Sequence, residues 1–243
     1  MPRRFGSVIL LLGLAAVMLG ADERPSSESR ATAARELEEA LVLEPNLEKG
    51  LQIYRTCARC HQPEGWGLPD GSYPQLAGQH RTVIVKQLAD IRAGVRDNPE
   101  MHPYASPEKL GGAQGVADVA GYIDTLEISI DTGKGSGERL ELGAKLYRAK
   151  CARCHGERGE GDGERYIPRI QSQHYAYLVR QLQAIRDGRR GNADAEMATH
   201  TQEISDEEAR AVADYVSRLE PPAEFQAPAG WRNPDFPRRP RGS

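Results

Sequence analysis

The sequence predicts an all-α chain of two tandem units, and three observations carry that prediction. A shift of 94 residues superimposes one stretch on another: between positions 57 and 98, 18 of 42 residues are identical to those 94 further on, among them Gly65/Gly159, Gln79/Gln173, His80/His174, Gln87/Gln181 and Arg92/Arg186. Self-similarity at a fixed offset marks a duplicated folding unit. Within each copy, apolar residues recur at helical spacing and stop at a glycine. No alternating apolar and polar run of useful length marks a strand.

In chain order, residues 1–21 read as a secretory signal, cleaved on export. Arg3 and Arg4 precede the apolar or small run Val8 to Gly20, and Gly20 and Ala21 lead into Asp22-Glu23-Arg24. That run is shorter than the roughly 20 residues of a membrane-spanning helix. Without it the chain keeps 30 of its 32 Lys and Arg against 35 Asp and Glu, so the formal charge moves from -3 to -5. An acidic chain has no electrostatic case for binding nucleic acid, and export excludes a cytosolic metabolic enzyme. Residues 22–45 form a polar leader rich in Glu, Ala and Ser, with partial helix expected around Ala33 to Leu43.

The first unit, residues 46–127, opens with a helix carrying the i,i+4 pair Gly50 and Tyr54. The stretch Val83 to Gly94 then places Ile84, Leu88 and Ile91 on one face of a helix. A closing helix bears Tyr122; because Leu110-Gly111-Gly112-Ala113-Gln114-Gly115 lacks a capping signal, that helix is expected to begin late or fray. Residues 128–137 read as a glycine-rich linker. The second unit, residues 138–220, repeats the order with Gly143 and Tyr147, then Tyr177 to Gly188 with Leu178, Leu182 and Ile185, and a closing helix with Tyr215. Ser205 and Glu208 form a capping box ahead of that last helix. A small residue at Gly50 or Gly143 permits close approach of the closing helix. The Pro-rich tail, 221–243, disfavours a packed core and reads as a solvated extension or as a docking strap for a partner. Apolar residues make up only 39% of the chain and aromatics 6%. Two small units of that composition have thin cores, so something other than side chains is expected to fill them.

All four cysteines fall in two copies of one string, Cys57-Ala58-Arg59-Cys60-His61 and Cys151-Ala152-Arg153-Cys154-His155. C-x-x-C-H is the attachment signal for c-type haem: both thiols bond to the haem and the adjacent imidazole ligates iron. A thioredoxin-like pair does not require the histidine and expects an α/β pattern. Zinc pairs sit closer together in sequence than Cys60 and Cys151, and ordinary disulfides leave both histidines unexplained. Two covalently attached haem c groups are therefore expected, with His61 and His155 as proximal ligands.

The remaining axial position decides between electron transfer and catalysis. After Met1 and Met18 leave with the signal, only Met101 and Met197 remain, 44 residues after Cys57 and 46 after Cys151, in matching polar loops. A methionine there is often gap-filling core, but the matched placement points to distal ligation in both units. His102 competes for the first iron, while His80, His174 and His200 read as surface or helix-start polarity or as unpaired residues. Pro74 and Pro168 each lie 13 residues after the ligating histidine. Their carbonyls are assigned the acceptor role for the second imidazole N–H.

The tandem C-x-x-C-H units, the runs Pro74-Gln75-Leu76-Ala77-Gly78-Gln79 and Gln87-Leu88 through Gly94, one late Met per unit and a Tyr-bearing closing helix resemble the dihaem cytochromes of the c4 type, tandem class I cytochrome c domains, over roughly residues 46 to 220. The resemblance implies two packed cytochrome c-like haem domains carrying single electrons in the bacterial periplasm between respiratory donors and a terminal oxidase or other acceptor, in peripheral contact with membrane complexes. Two alternatives stay open: a fixed electron-transfer subunit of a periplasmic dehydrogenase or oxidase, suggested by the terminal extensions, and a dihaem enzyme such as a peroxidase or sulfur-compound oxidase.

Overall fold

The computed structural model describes residues 25–236, so the expected signal at 1–21 and the tail's last residues, 237–243, lie outside the described part. The described residues are helical, with two isolated β-bridges and no strand. In chain order the helices are α1 (Ser27–Val42), α2 (Leu47–His61), α3 (Arg81–Arg92), α4 (His102–Ala105), α5 (Pro107–Leu110) and α6 (Ala113–Asp124), then α7 (Leu140–Lys150), α8 (Ala152–His155), α9 (Tyr175–Arg186), α10 (Ala195–Gln202) and α11 (Asp206–Ser217).

Each unit is organised around a crossing of its opening and closing helices, α2 on α6 and α7 on α11. The crossing is close enough to require glycine. A Cβ on Gly50 would sit 2.2 Å from the Asp118 carbonyl oxygen, and one on Gly143 would sit 2.1 Å from that of Ala211. One turn along, the fully buried Tyr54 and Tyr147 meet Tyr122 and Tyr215 in tilted pairs with ring centroids 5.2 and 5.6 Å apart. Helices α3 and α9 stop before Gly94 and Gly188, which adopt φ of 72° and 71°, the left-handed turn that favours glycine. The capping box at Ser205 and Glu208 forms as expected. Helix α6 departs from expectation: without any side-chain cap it runs for 12 residues, as long as α11. Its buried face explains this, since helices in proteins owe more to tertiary packing than to local signals. Asp118 of α6 also accepts the Asn46 N–H at 2.8 Å, tying the helix to the start of α2.

Both extensions fold mainly onto the first unit, with single contacts to the second through Arg30, which donates to the Gly191 carbonyl at 3.1 Å, and Phe225, under the Arg169 guanidinium. Helix α1 packs on α3 and α6, burying Ala33 and Ala40 and laying Leu37, Leu41 and Leu43 on the first core. Arg81 fastens it by donating to the Ala40 and Leu43 carbonyls at 3.2 and 2.7 Å, and Arg92 pairs with Glu36. The described tail, expected as a solvated extension or a strap for a partner, returns instead to the first unit. Ala227 N–H donates to Ile128 O at 2.8 Å, the Trp231 ring lies 5.7 Å from that of Trp66, and Phe236 meets Tyr54 edge-on at 6.1 Å. Buried Asn233 donates to the Pro63 carbonyl at 2.6 Å and to the Tyr122 hydroxyl at 3.0 Å. Composition averages over the tail and hides these separate anchors.

The glycine-rich linker is clamped. Asp214 accepts from Gly135 N–H at 3.0 Å and from Gly137 N–H at 2.7 Å, and Tyr175 N–H donates to Gly133 O at 2.8 Å. A Cβ on Gly133 would meet the Pro69 carbonyl at 1.8 Å, so this glycine serves close approach.

The units dock through equivalent residues used reciprocally, as in a two-fold interface. His80 Nε2 lies 2.8 Å from the Glu160 carbonyl, and its counterpart His174 Nε2 lies 2.7 Å from the Trp66 carbonyl, where Trp66 is itself the counterpart of Glu160. His174 is 1% exposed and accepts the Gly133 N–H at 3.1 Å. These histidines, expected as surface or helix-start polarity, are therefore interface residues.

Candidate haem sites

In the first unit Cys57 to His61 form the last turn of α2; in the second, Cys151 joins α7 to the short α8, which ends at His155. Both histidines are buried, 5% and 7% exposed, and each Nδ1 lies 3.0 Å from a proline carbonyl, Pro74 O for His61 and Pro168 O for His155. A carbonyl can only accept, so Nδ1 carries the proton. Among the described residues neither Nε2 has a hydrogen-bond partner. Burial lowers both imidazole pKa values, opposed by the proline carbonyls. A neutral imidazole with a free, correctly oriented Nε2 is the form that binds a metal.

The cysteines form no disulfide. Burial pushes the thiols of Cys57 and Cys151 up to about 11.

One continuous cavity of about 1740 Å³ lies between the units. Its lining includes Cys57, Cys60, His61, Pro74 and Met101 from the first unit and Cys151, Cys154, His155, Pro168 and Met197 from the second. Single-ligand pockets are about 300–1,000 Å³, so this space suits two large cofactors. The methionines do not sit in matching loops: Met101 is the residue before α4, and Met197 lies inside α10, whose Asp194 cap accepts its N–H at 3.3 Å. His102 is exposed and off the cavity wall, whereas His200 lines it.

Sequence reasoning missed the cationic part of the wall. Arg96 and Arg190, equivalent in the repeat, meet there: Arg96 donates to Gln87 Oε1 at 2.8 Å and Arg190 reaches the same oxygen at 3.1 Å. Desolvation, together with the charge of Arg96, brings the Arg190 guanidinium down to about 10. Burial raises the Tyr177 phenol, but Arg96, Arg190 and Arg180 outweigh it and lower its pKa. Two adjacent guanidiniums call for anionic groups in the cavity, and haem carries carboxylates. The donor set, the free Nε2 atoms and the adjacent guanidiniums all fit that group. Recurrence at the repeat offset was the available signal, for Arg96/Arg190 as for Gln87/Gln181.

Comparison with known proteins adds a match to the cytochrome c family over residues 47–127 and again over 140–220. The chain belongs to the cytochrome c family. The cytochrome c4 of Thiocapsa roseopersicina is 34% identical over 173 residues, 67% of this chain and 86% of that protein. The thiosulfate dehydrogenase electron acceptor of Stutzerimonas stutzeri strain A1501 is 34% identical over 170 residues, 67% of this chain and 78% of that protein. The crystal structure of reduced cytochrome c4 from Pseudomonas stutzeri superimposes with a TM-score of 0.66 at 27% identity, covering 73% of this chain and all of that one. This cytochrome is thus of the dihaem c4 type, an electron carrier with two covalently attached haem c groups, one on each Cys-x-x-Cys-His string.

Proposed function

We propose that this cytochrome works in the periplasm, after export, as a mobile carrier of single electrons, in which His61 and Met101 would hold the iron of the first haem and His155 and Met197 that of the second. The observation that supports this most strongly is the shared cavity, which collects one carbonyl-oriented histidine and one methionine from each unit. Bound haem supplies the one-electron iron couple. The chain does the rest: Cys57 and Cys60, and Cys151 and Cys154, tether; Pro74 and Pro168 orient the imidazoles; Arg96 and Arg190 offset haem carboxylate charge. Held by a histidine and a methionine each, the irons would have no position left for a substrate, which favours carriage over the dihaem-enzyme alternative.

The named role of the Stutzerimonas stutzeri relative favours a sulfur-compound dehydrogenase as electron donor, with a terminal oxidase as acceptor. No helix among the described residues is long and apolar enough to cross a membrane. The extensions that suggested a fixed subunit are, where described, occupied with the first unit, which favours a free carrier.

The test is near-infrared spectroscopy of the oxidised holoprotein. Thioether–iron charge-transfer absorption is expected from both haems; its absence from either would overturn the ligand assignment. Mixing the oxidised protein with a thiosulfate dehydrogenase and thiosulfate tests the donor, and rapid reduction is the expected result.

A further inference from the structure

Each proline that holds a proximal histidine belongs to a peptide group held in turn by the opposite unit. The carbonyl of the Pro74–Gln75 peptide faces His61 Nδ1 at 3.0 Å, and its N–H donates to Gln173 Oε1 at 3.0 Å. The Pro168–Arg169 peptide is the same: its carbonyl faces His155 Nδ1 at 3.0 Å and its N–H donates to Gln79 Oε1 at 2.9 Å. Both glutamine amides are oriented by their surroundings. Gln173 Oε1 also accepts the His174 N–H at 3.0 Å while its Nε2 donates to Gln75 O at 3.0 Å. Gln79 Oε1 accepts the His80 N–H at 3.1 Å while its Nε2 donates to Arg169 O at 2.8 Å. A flipped amide would set donors against donors. Two hydrogen-bonded chains, imidazole to peptide to glutamine, therefore cross the interface in opposite directions.

A peptide whose N–H is hydrogen-bonded presents a more strongly accepting carbonyl, because bonds in a chain polarise one another. A stronger acceptor on Nδ1–H makes the imidazole a more basic ligand, which favours the ferric over the ferrous iron. We infer that Gln79 and Gln173 are positioning residues for the proximal histidine of the opposite unit, so that each sets the potential of the haem it does not accompany. Docking of the units then lowers both potentials, and an interface loosened on one side changes the driving force between the haems. This inference rests on His61 and His155 being iron ligands, as proposed above.

The experiment is a redox titration of the holoprotein and of Gln173→Leu and Gln79→Leu, with the two haems followed separately by their hyperfine-shifted NMR signals. Gln173→Leu is expected to raise the first haem and spare the second, and Gln79→Leu to do the reverse. The expected size is about threefold in the oxidised-to-reduced ratio, about 28 mV at 59 mV per tenfold. Gln173→Asn and Gln79→Asn, uncharged and one methylene shorter so that the amide oxygen is drawn back from the peptide N–H, should move the same haem in the same direction by a smaller amount, and they serve where the leucine variants fail to fold. A shift in the variant's own haem, an equal shift in both, or no shift overturns the inference. Charge-transfer absorption recorded on the unsubstituted protein reports the axial ligands separately, so failure of the ligand assignment is distinguishable from failure of the crossed control.

Discussion

The two units share a helix crossing, a haem-attachment string and a proline acceptor, yet what lies on each differs. The first is covered by α1 on one side and by the returning tail on another, and Tyr54, Tyr122 and Phe236 make one aromatic cluster. The second has Tyr147 and Tyr215 alone, and much of its apolar core, including Leu182, Val179 and Leu219, is only partly buried. Duplication preserved what the cofactor requires, while the chain's extra length went to one copy. Removal of apolar surface from water is the main source of stability, so the second unit depends more heavily on its haem and should open first when the protein is denatured.

The sharpest way to break the equivalence is at iron. Met101→Ala and Met197→Ala should each lower the charge-transfer absorption by about half, since each removes one of two thioether ligands, without loss of haem by intact mass. Retention of full intensity in Met101→Ala would separate the units chemically as well as structurally. Next in size is the helix crossing. Gly50→Ala and Gly143→Ala both force a Cβ onto a backbone oxygen, and chemical denaturation should show a loss of about 3 kcal/mol in each, at the upper end of overpacking. Unequal losses would mean that the crossings are not duplicates.

Asn233→Ala tests the asymmetry itself. It strips a donor from the Pro63 carbonyl, while the Tyr122 hydroxyl keeps its bond to Asp235 at 2.9 Å, and leaving a buried acceptor unsatisfied costs about 1–3 kcal/mol. Only the first unit's unfolding transition should move; a shift in the second alone would contradict the placement of the tail. The smallest effect is on pH dependence. Burial lowers the His174 pKa below 6.5, so the native state holds this ring neutral while the unfolded chain protonates it. Its contribution is present above pH 6.5 and is lost as pH falls toward the lowered native value. His174→Gln should flatten the stability profile in that acid window and leave it unchanged at higher pH.

The residues that made the haem sites legible were those whose chemistry is local: Cys57-x-x-Cys60-His61 and its copy need only adjacent positions, and Gly50 with Tyr54 needs only one turn of helix. The interface could not be read in the same way. Gln79, His80, Gln173 and His174 stood out as repeated, but their partners lie on the opposite unit, and nothing in one strand of sequence says that Trp66 O and Glu160 O will face them. The linker misled through composition, because glycine admits close packing as readily as freedom, and Gly133 and Gly135 are used for packing. Helix α6 misled through its missing cap, which burial of one face replaces.

The central claim is that two haem units are held in one rigid pair that shares electrons. Laser-flash reduction of the oxidised holoprotein with substoichiometric electrons tests it most directly, the two haems being followed by their separate spectra. Equilibration between them at a rate independent of protein concentration is the predicted result. A rate that rises in proportion to protein concentration would show that electrons pass only between colliding chains, and would contradict the docked arrangement.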